Sequence, residues 1–166
     1  MDGGIVTAGT AVHDQPRRAH LVLTRIKHHY GTCEADLVRY AAHDLADGTA
    51  LLTWCERRLE NVVRRAGFVP TRPEARRAVV RGHVLVNGRK VIHPGYLVRA
   101  GDVLTVRPRP HIQALYRPRL AGVIHLPGDW LRVEPHELRA TVARLPAAAD
   151  VGLGVNVTGM MEYLAH

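Results

Sequence analysis

Between Gly67 and Val106 the apolar period changes from helical to alternating, and each change is punctuated by residues that leave little choice of backbone. Gly67 closes a helical stripe formed by Leu59, Val62, Val63 and Ala66 at i, i+3, i+4 and i+7. Thr71-Arg72-Pro73-Glu74 then supplies an N-cap hydroxyl, a proline tolerated in the first turn and a glutamate at the capping-box position. Ala75, Ala78 and Val79 share one face of the helix so opened. After Gly82 come Val84-Leu85-Val86, the type I′ turn signal Asn87-Gly88, and Arg89-Lys90-Val91. A helix pair followed by a hairpin is the fold this segment specifies. Tyr96-Leu97-Val98 and Val103-Leu104-Thr105-Val106 are expected to add strands, giving a small antiparallel sheet on which two helices pack. The fold class is α+β.

Upstream, Leu21, Leu23, Ile26 and Tyr30, then Leu37, Val38, Ala41, Ala42 and Leu45, recur at helical spacing. Gly31 and Asp47-Gly48 divide them into two helices leading to a third over Thr49–Ala66, whose polar side carries Arg58, Asn61 and Arg65. Residues 1–16 lack sustained periodicity and read as a loose leader. Residues 108–118, with three prolines, read as an extended connector. Beyond it, Asp129–Val133 and Arg139–Val142 read as peripheral strands and turns, and Gly159–His166 as a terminal helix or strand.

Charge is distributed as unevenly as period. Of the 23 Lys and Arg side chains, fifteen fall between Glu56 and Arg119, against only Glu56, Glu60, Glu74 and Asp102. That window is strongly positive although the whole chain is only +8. Such a field suits a polyanion, because each guanidinium that meets a phosphate releases condensed counterions. Arg72 and Arg76, like Arg77 and Arg81, stand four apart on one helix, where like charges repel until an anion compensates them. The window holds only Phe68, Tyr96 and Tyr116 as aromatics. Stacking on single strands is therefore disfavoured against shape and phosphate readout of folded RNA.

Catalysis has little footing. There is no serine in the chain, which excludes a Ser-His-Asp nucleophile. His136-Glu137 is not part of an HExxH pattern, and no phosphate-binding glycine loop occurs. Among the eleven histidines, His28 and His29 with Cys33 are the nearest approach to a metal set, but spacing supplies no fourth ligand. Cys33 and Cys55 form no framework. No run of about 18 apolar residues and no signal-peptide core is present, so a cytoplasmic protein without a membrane span is expected. We expect no enzyme, no cofactor, no metal and no small-molecule substrate.

Glu56-Arg57-Arg58-Leu59-Glu60-Asn61-Val62-Val63, Arg65, Gly67-Phe68, Thr71-Arg72, Glu74-Ala75-Arg76 and His83-Val84-Leu85-Val86-Asn87-Gly88 together resemble the S-four RNA-binding domain. Pro94, Tyr96, Val98, Gly101-Asp102 and Val106 continue the likeness. The flanks resemble the S-four family of small ribosomal subunit proteins. Upstream the likeness rests on Tyr30-Gly31, Glu34, Gly48 and Leu51-Leu52; downstream on Trp130–Glu134, Thr141, Arg144, Pro146, Asn156 and Glu162-Tyr163. The basic, often cysteine-bearing segment at the start of many members has no counterpart here, so zinc binding is not implied.

The resemblance implies a leader at 1–16, a helical subdomain at 17–55, an S-four RNA-binding domain at 56–119 and a C-terminal segment at 120–166 that packs back to complete the helical subdomain. It implies a structural protein that binds a folded junction of small-subunit ribosomal RNA beside neighbouring ribosomal proteins. The alternative is a diverged regulatory RNA-binding paralogue that visits ribosomes transiently. The RNA-binding set it implies is Arg57, Arg58, Asn61, Arg65, Thr71, Arg72, Arg76, Arg77, His83 and Lys90; for Asn87-Gly88 turn geometry is the simpler role.

Overall fold

The computed structural model describes residues 9–43, 48–121, 129–155 and 157–164. The chain divides into two compact units, one of residues 1–51 with 153–166 and the other of residues 52–152.

In the first unit, α1 (Gly9–Tyr30) packs on α7 (Thr158–Leu164), which also meets α2 (Glu34–His43). Ala19, Leu23, Ile26 and Tyr30 form the buried stripe of α1, at spacings of four, three and four. Leu21, expected in that stripe, is exposed instead. The helix starts at Gly9, inside the stretch expected to be a loose leader, and runs through Pro16. Gly31 at φ +63 ends it. Val157, Met160 and Met161 supply the buried face around α7.

The second unit holds a five-stranded sheet of order β2-β1-β3-β5-β4, built from β1 (Val84–Val86), β2 (Arg89–Lys90), β3 (Val103–Val106), β4 (Leu131–Glu134) and β5 (Arg139–Val142). Every neighbouring pair is antiparallel. Val84 pairs with Val106 and Val86 with Leu104, while Leu104 also pairs with Ala140. Val84, Val86, Leu104, Val106, Ala140 and Val142 are therefore buried while their strand neighbours are more exposed, as the pleat dictates. Asn87 at φ +52 and Gly88 at φ +77 make the expected type I′ turn.

Helix α3 (Gly48–Glu56) stops short of α4 (Leu59–Arg65), so the single helix expected over Thr49–Ala66 is in fact two. Arg58 is extended, at φ −62 and ψ +134, and bridges to Leu97. The N–H groups that would have continued a helix are taken by a neighbouring segment: Leu59 donates to the Tyr96 carbonyl and Glu60 to that of Pro94, while Val98 donates to Arg57. A local apolar stripe cannot announce such a nonlocal competitor. Tyr96–Val98 thus contributes a bridge rather than the strand expected of it.

Both α4 and α5 (Arg72–Val80) end in the same way. Phe68 donates to Val63 and Gly67 to Arg64; one helix later, His83 donates to Ala78 and Gly82 to Val79. These are two Schellman closures, with Gly67 at φ +86 and Gly82 at φ +71 in the left-handed position. At its start α5 is capped by Thr71, whose hydroxyl accepts from the Glu74 N–H at 3.4 Å.

The residues expected to form an extended connector are largely helical, as α6 (Pro110–Ala121). Pro110 sits in the first turn, where its missing N–H costs nothing, and Pro118 falls near the end. Ile112, Tyr116 and Leu120, four apart, are buried. The strands after it, expected at the periphery, complete the sheet. Of the C-terminal segment expected at 120–166 to complete the helical subdomain, residues 129–152 belong to the unit of the sheet and 153–164 to that of α1.

Trp130 lies in the core with no exposed surface. Its indole Nε1 has no hydrogen-bond partner among the described residues. Truncation should therefore be costly and removal of the polar atom cheap. Trp130→Ala is expected to cost about 3–5 kcal/mol in urea unfolding, and Trp130→Phe less than about 2 kcal/mol. A loss for Trp130→Phe well above about 2 kcal/mol would mean that Nε1 is bonded after all.

Candidate nucleic-acid interface

The residues expected to meet RNA separate into two groups in the structure. Arg58 and Asn61 are buried, and each is bonded to a carboxylate of the same fold, Asn61 also accepting from Arg64 Nη2 at 3.3 Å. Arg58 Nη2 lies 3.2 Å from Glu60 Oε1, and the guanidinium is roofed by Gly95, where an added Cβ would stand 3.1 Å from Arg58 Nη1. Glu60 is itself only 1% exposed, and burial pushes its carboxyl above the ordinary value against the pull of Arg58, Arg76 and Arg72. Asn61 Nδ2 donates to the Glu56 carbonyl at 2.9 Å and to Glu56 Oε2 at 2.7 Å.

Arg65 completes that knot. Its Nε donates to Glu56 Oε2 at 2.7 Å and its Nη2 to Oε1 at 2.8 Å, the bidentate arrangement that a planar guanidinium allows. Arg57 is half-buried; Nε donates to the Val98 carbonyl at 3.0 Å and the guanidinium lies 4.9 Å from the Trp54 ring centroid. The side of the helix that looks polar in the sequence is thus a buried ionic layer joining α3 to α4. The signal that betrays it is Glu56 and Glu60, two acids inside an otherwise basic run.

The second group faces solvent. Arg76 is 59% exposed, with Nη1 3.9 Å from Glu60 Oε2. Arg77, Arg81, Arg89 and Lys90 are exposed, and Arg72 is half-exposed above the buried Glu60. Lys90 is held near the end of α5 by its own stem: a Cβ on Gly82 would lie 2.6 Å from Lys90 Cε. His83, half-exposed, sets Nδ1 2.8 Å from the Tyr116 hydroxyl. Thr71 serves its helix as N-cap.

Asn87 fills the turn role. Its Nδ2 donates to Asp102 Oδ1 and its Oδ1 accepts from the Val103 N–H, both at 2.9 Å. Asp102 Oδ2 in turn accepts from the Arg99 N–H at 2.8 Å. The hairpin and the turn before β3 are locked together, which fixes where Arg89 and Lys90 stand. Arg81 and Arg89, both exposed, and Arg107, half-exposed, join these basic residues without having been in the expected set; the N–H of Arg107 binds the His83 carbonyl at 2.8 Å. For Arg81, the four-residue spacing from Arg77 was the available clue. No group of three or more metal-ligating side chains is present among the described residues.

Two Schellman-closed helices leading into a type I′ hairpin, with a run of cations on α5 and β2, make up the stretch whose family match marks the chain as an S4-domain protein. The family model for the S4 domain matches residues 57–104. Small ribosomal subunit protein uS4 of Rhodopirellula baltica is 45% identical over 146 residues, 86% of this chain and 72% of that protein. Protein uS4A of Symbiobacterium thermophilum is 38% identical over 146 residues, covering 86% and 70%, and uS4 of Chloroflexus aurantiacus 40% over 122 residues, covering 72% and 59%. The chain belongs to the uS4 family of small ribosomal subunit proteins.

Proposed function

We propose that this protein binds folded small-subunit ribosomal RNA as a structural component of the cytoplasmic small ribosomal subunit, beside neighbouring ribosomal proteins, and has no catalytic role. The observation that supports this best is the sorting of the basic residues. Arg58 and Arg65 are consumed by buried acids, whereas Arg72, Arg76, Arg77 and Lys90, with Arg81 and Arg89, are presented from α5 and the hairpin. Cations held by capped helices and a locked turn are preorganised for phosphates at fixed spacing. Arg57, Arg58, Asn61 and Arg65 support the interface from beneath, and Thr71 fixes the start of the helix that carries its arginines.

The reading is tested by binding a transcript of the 5′ domain of small-subunit ribosomal RNA against a shuffled RNA of equal length, across a salt series. Preference for the ribosomal transcript near physiological salt is the expected result. Equal and steeply salt-sensitive affinity for both would reduce the surface to a generic polyanion binder.

A further inference from the structure

Four segments of the second unit converge on His83. Arg81 closes α5, His83 precedes β1, Arg107 follows β3, and His111 and Tyr116 come from α6. The His83 carbonyl accepts from the Arg107 N–H at 2.8 Å, which fastens the end of the sheet to the end of α5. On the side-chain end, His83 Nδ1 and the Tyr116 hydroxyl are 2.8 Å apart, their rings edge-on at 5.9 Å. The charges that act on His83 are those of Arg81, His111 and Arg107, all basic. Arg119, also on α6, bears on Tyr116, and Lys90 of β2 lies along Gly82 between Arg81 and His83. The first turn of α6 contains no acid, which leaves the positive end of that helix uncompensated.

We propose that Arg81, His83, Arg107 and His111 form a phosphate-binding cluster, and that seating an RNA phosphate there is coupled to uptake of a proton by His83. The proposal rests on the RNA-binding reading above and adds a site and a pH dependence to it. Without RNA, burial first and then three basic neighbours hold the imidazole below its ordinary value, which favours the neutral form. A phosphate reverses the balance: it cancels the repulsion from the arginines and favours the imidazolium. In that form both ring nitrogens donate. Nδ1 donates to the Tyr116 oxygen, and Nε2 becomes a charge-assisted donor for a phosphate oxygen.

The sign follows from linkage. The bound state holds His83 protonated at higher pH than the free state, so affinity rises as pH falls through the bound value and levels off below the free one. Each unit of difference between the two values corresponds to about a tenfold change in affinity.

The test uses the whole chain and the 5′-domain ribosomal RNA transcript, at constant ionic strength from pH 5.5 to 8.0. Wild type is expected to bind about 3- to 10-fold more tightly at pH 5.5 than at 8.0, and His83→Gln to lose most of that gain, while His20→Gln, at an exposed position of α1 outside the cluster, keeps it. Histidine NMR of the wild type, free and bound, should show His83 titrating at higher pH with RNA than without; this reading does not depend on how well the variant folds. An undiminished pH dependence in His83→Gln, or a His83 titration unmoved by RNA, overturns the proposal and leaves the RNA-binding reading standing. Failure of the wild type to prefer the ribosomal transcript at any pH overturns both.

Discussion

Replacing Arg76, Arg77 and Lys90 together with alanine is expected to weaken binding to the ribosomal RNA transcript by about 100-fold or more near physiological salt, at about 1 kcal/mol or more for each lost charged contact. The slope of log affinity against log salt should flatten by about 2 to 3 units, since each phosphate neutralised contributes about 0.7 to 0.9. All three side chains are exposed, and none anchors the core. Fold stability should change by no more than about 0.5 kcal/mol at Arg77 and Lys90, the usual range for exposed substitutions, and by up to about 1 kcal/mol at Arg76, which stands 3.9 Å from the buried Glu60. Affinity and stability are thereby separated. An unchanged salt slope in a folded triple variant would remove α5 and the hairpin from the interface.

The opposite separation is expected at Glu56. Its carboxylate is fully buried and holds Arg65 through two hydrogen bonds and Asn61 through a third. Glu56→Ala strands the fully buried Asn61 amide and a guanidinium, that of Arg65, which is only 20% exposed. Breaking a buried ion pair by removing one partner costs about 3–5 kcal/mol, a large share of the roughly 5–15 kcal/mol that keeps a domain folded. Equilibrium urea unfolding measures it. The double replacement Glu56→Leu with Arg65→Leu should recover part of the loss, because a well-packed apolar pair has no charge left to desolvate. If Glu56→Ala unfolds within about 1 kcal/mol of wild type, the layer between α3 and α4 is solvated and the arginines beneath the surface are open to RNA after all.

These two experiments address a distinction that sequence alone could not draw. The caps, both glycine closures and the type I′ turn were legible, because each is set by residues within a few positions of one another. The apolar stripe of α4 was legible for the same reason. The break at Arg57-Arg58 was not: it depends on carbonyls of Pro94 and Tyr96, more than thirty positions away. Helix α6 was obscured by prolines that fall where a helix tolerates them, though Ile112, Tyr116 and Leu120 kept the helical spacing. The candidate interface was half legible. Arginine spacing on α5 pointed outward correctly, whereas Arg58 and Asn61 have the same composition signal and the opposite burial. Charge tells how many cations a segment carries, and only the placement of its few acids tells which of them the fold retains.

The order of the strands also sets a timetable. β3 finds one partner in the hairpin just before it, but its other edge is covered by β5, where Leu104 meets Ala140 and where Gly101 and Asp102 exchange backbone hydrogen bonds with Val142. During synthesis the S4-matched segment therefore leaves the ribosome with that edge open, until some forty further residues have been added. At about 5–20 residues per second this leaves a window of about 2–8 seconds. Exposed edges recruit other strands. A growing chain of this protein is thus most exposed to mispairing after its basic helix has formed, which is also when an RNA partner would be of most use to it.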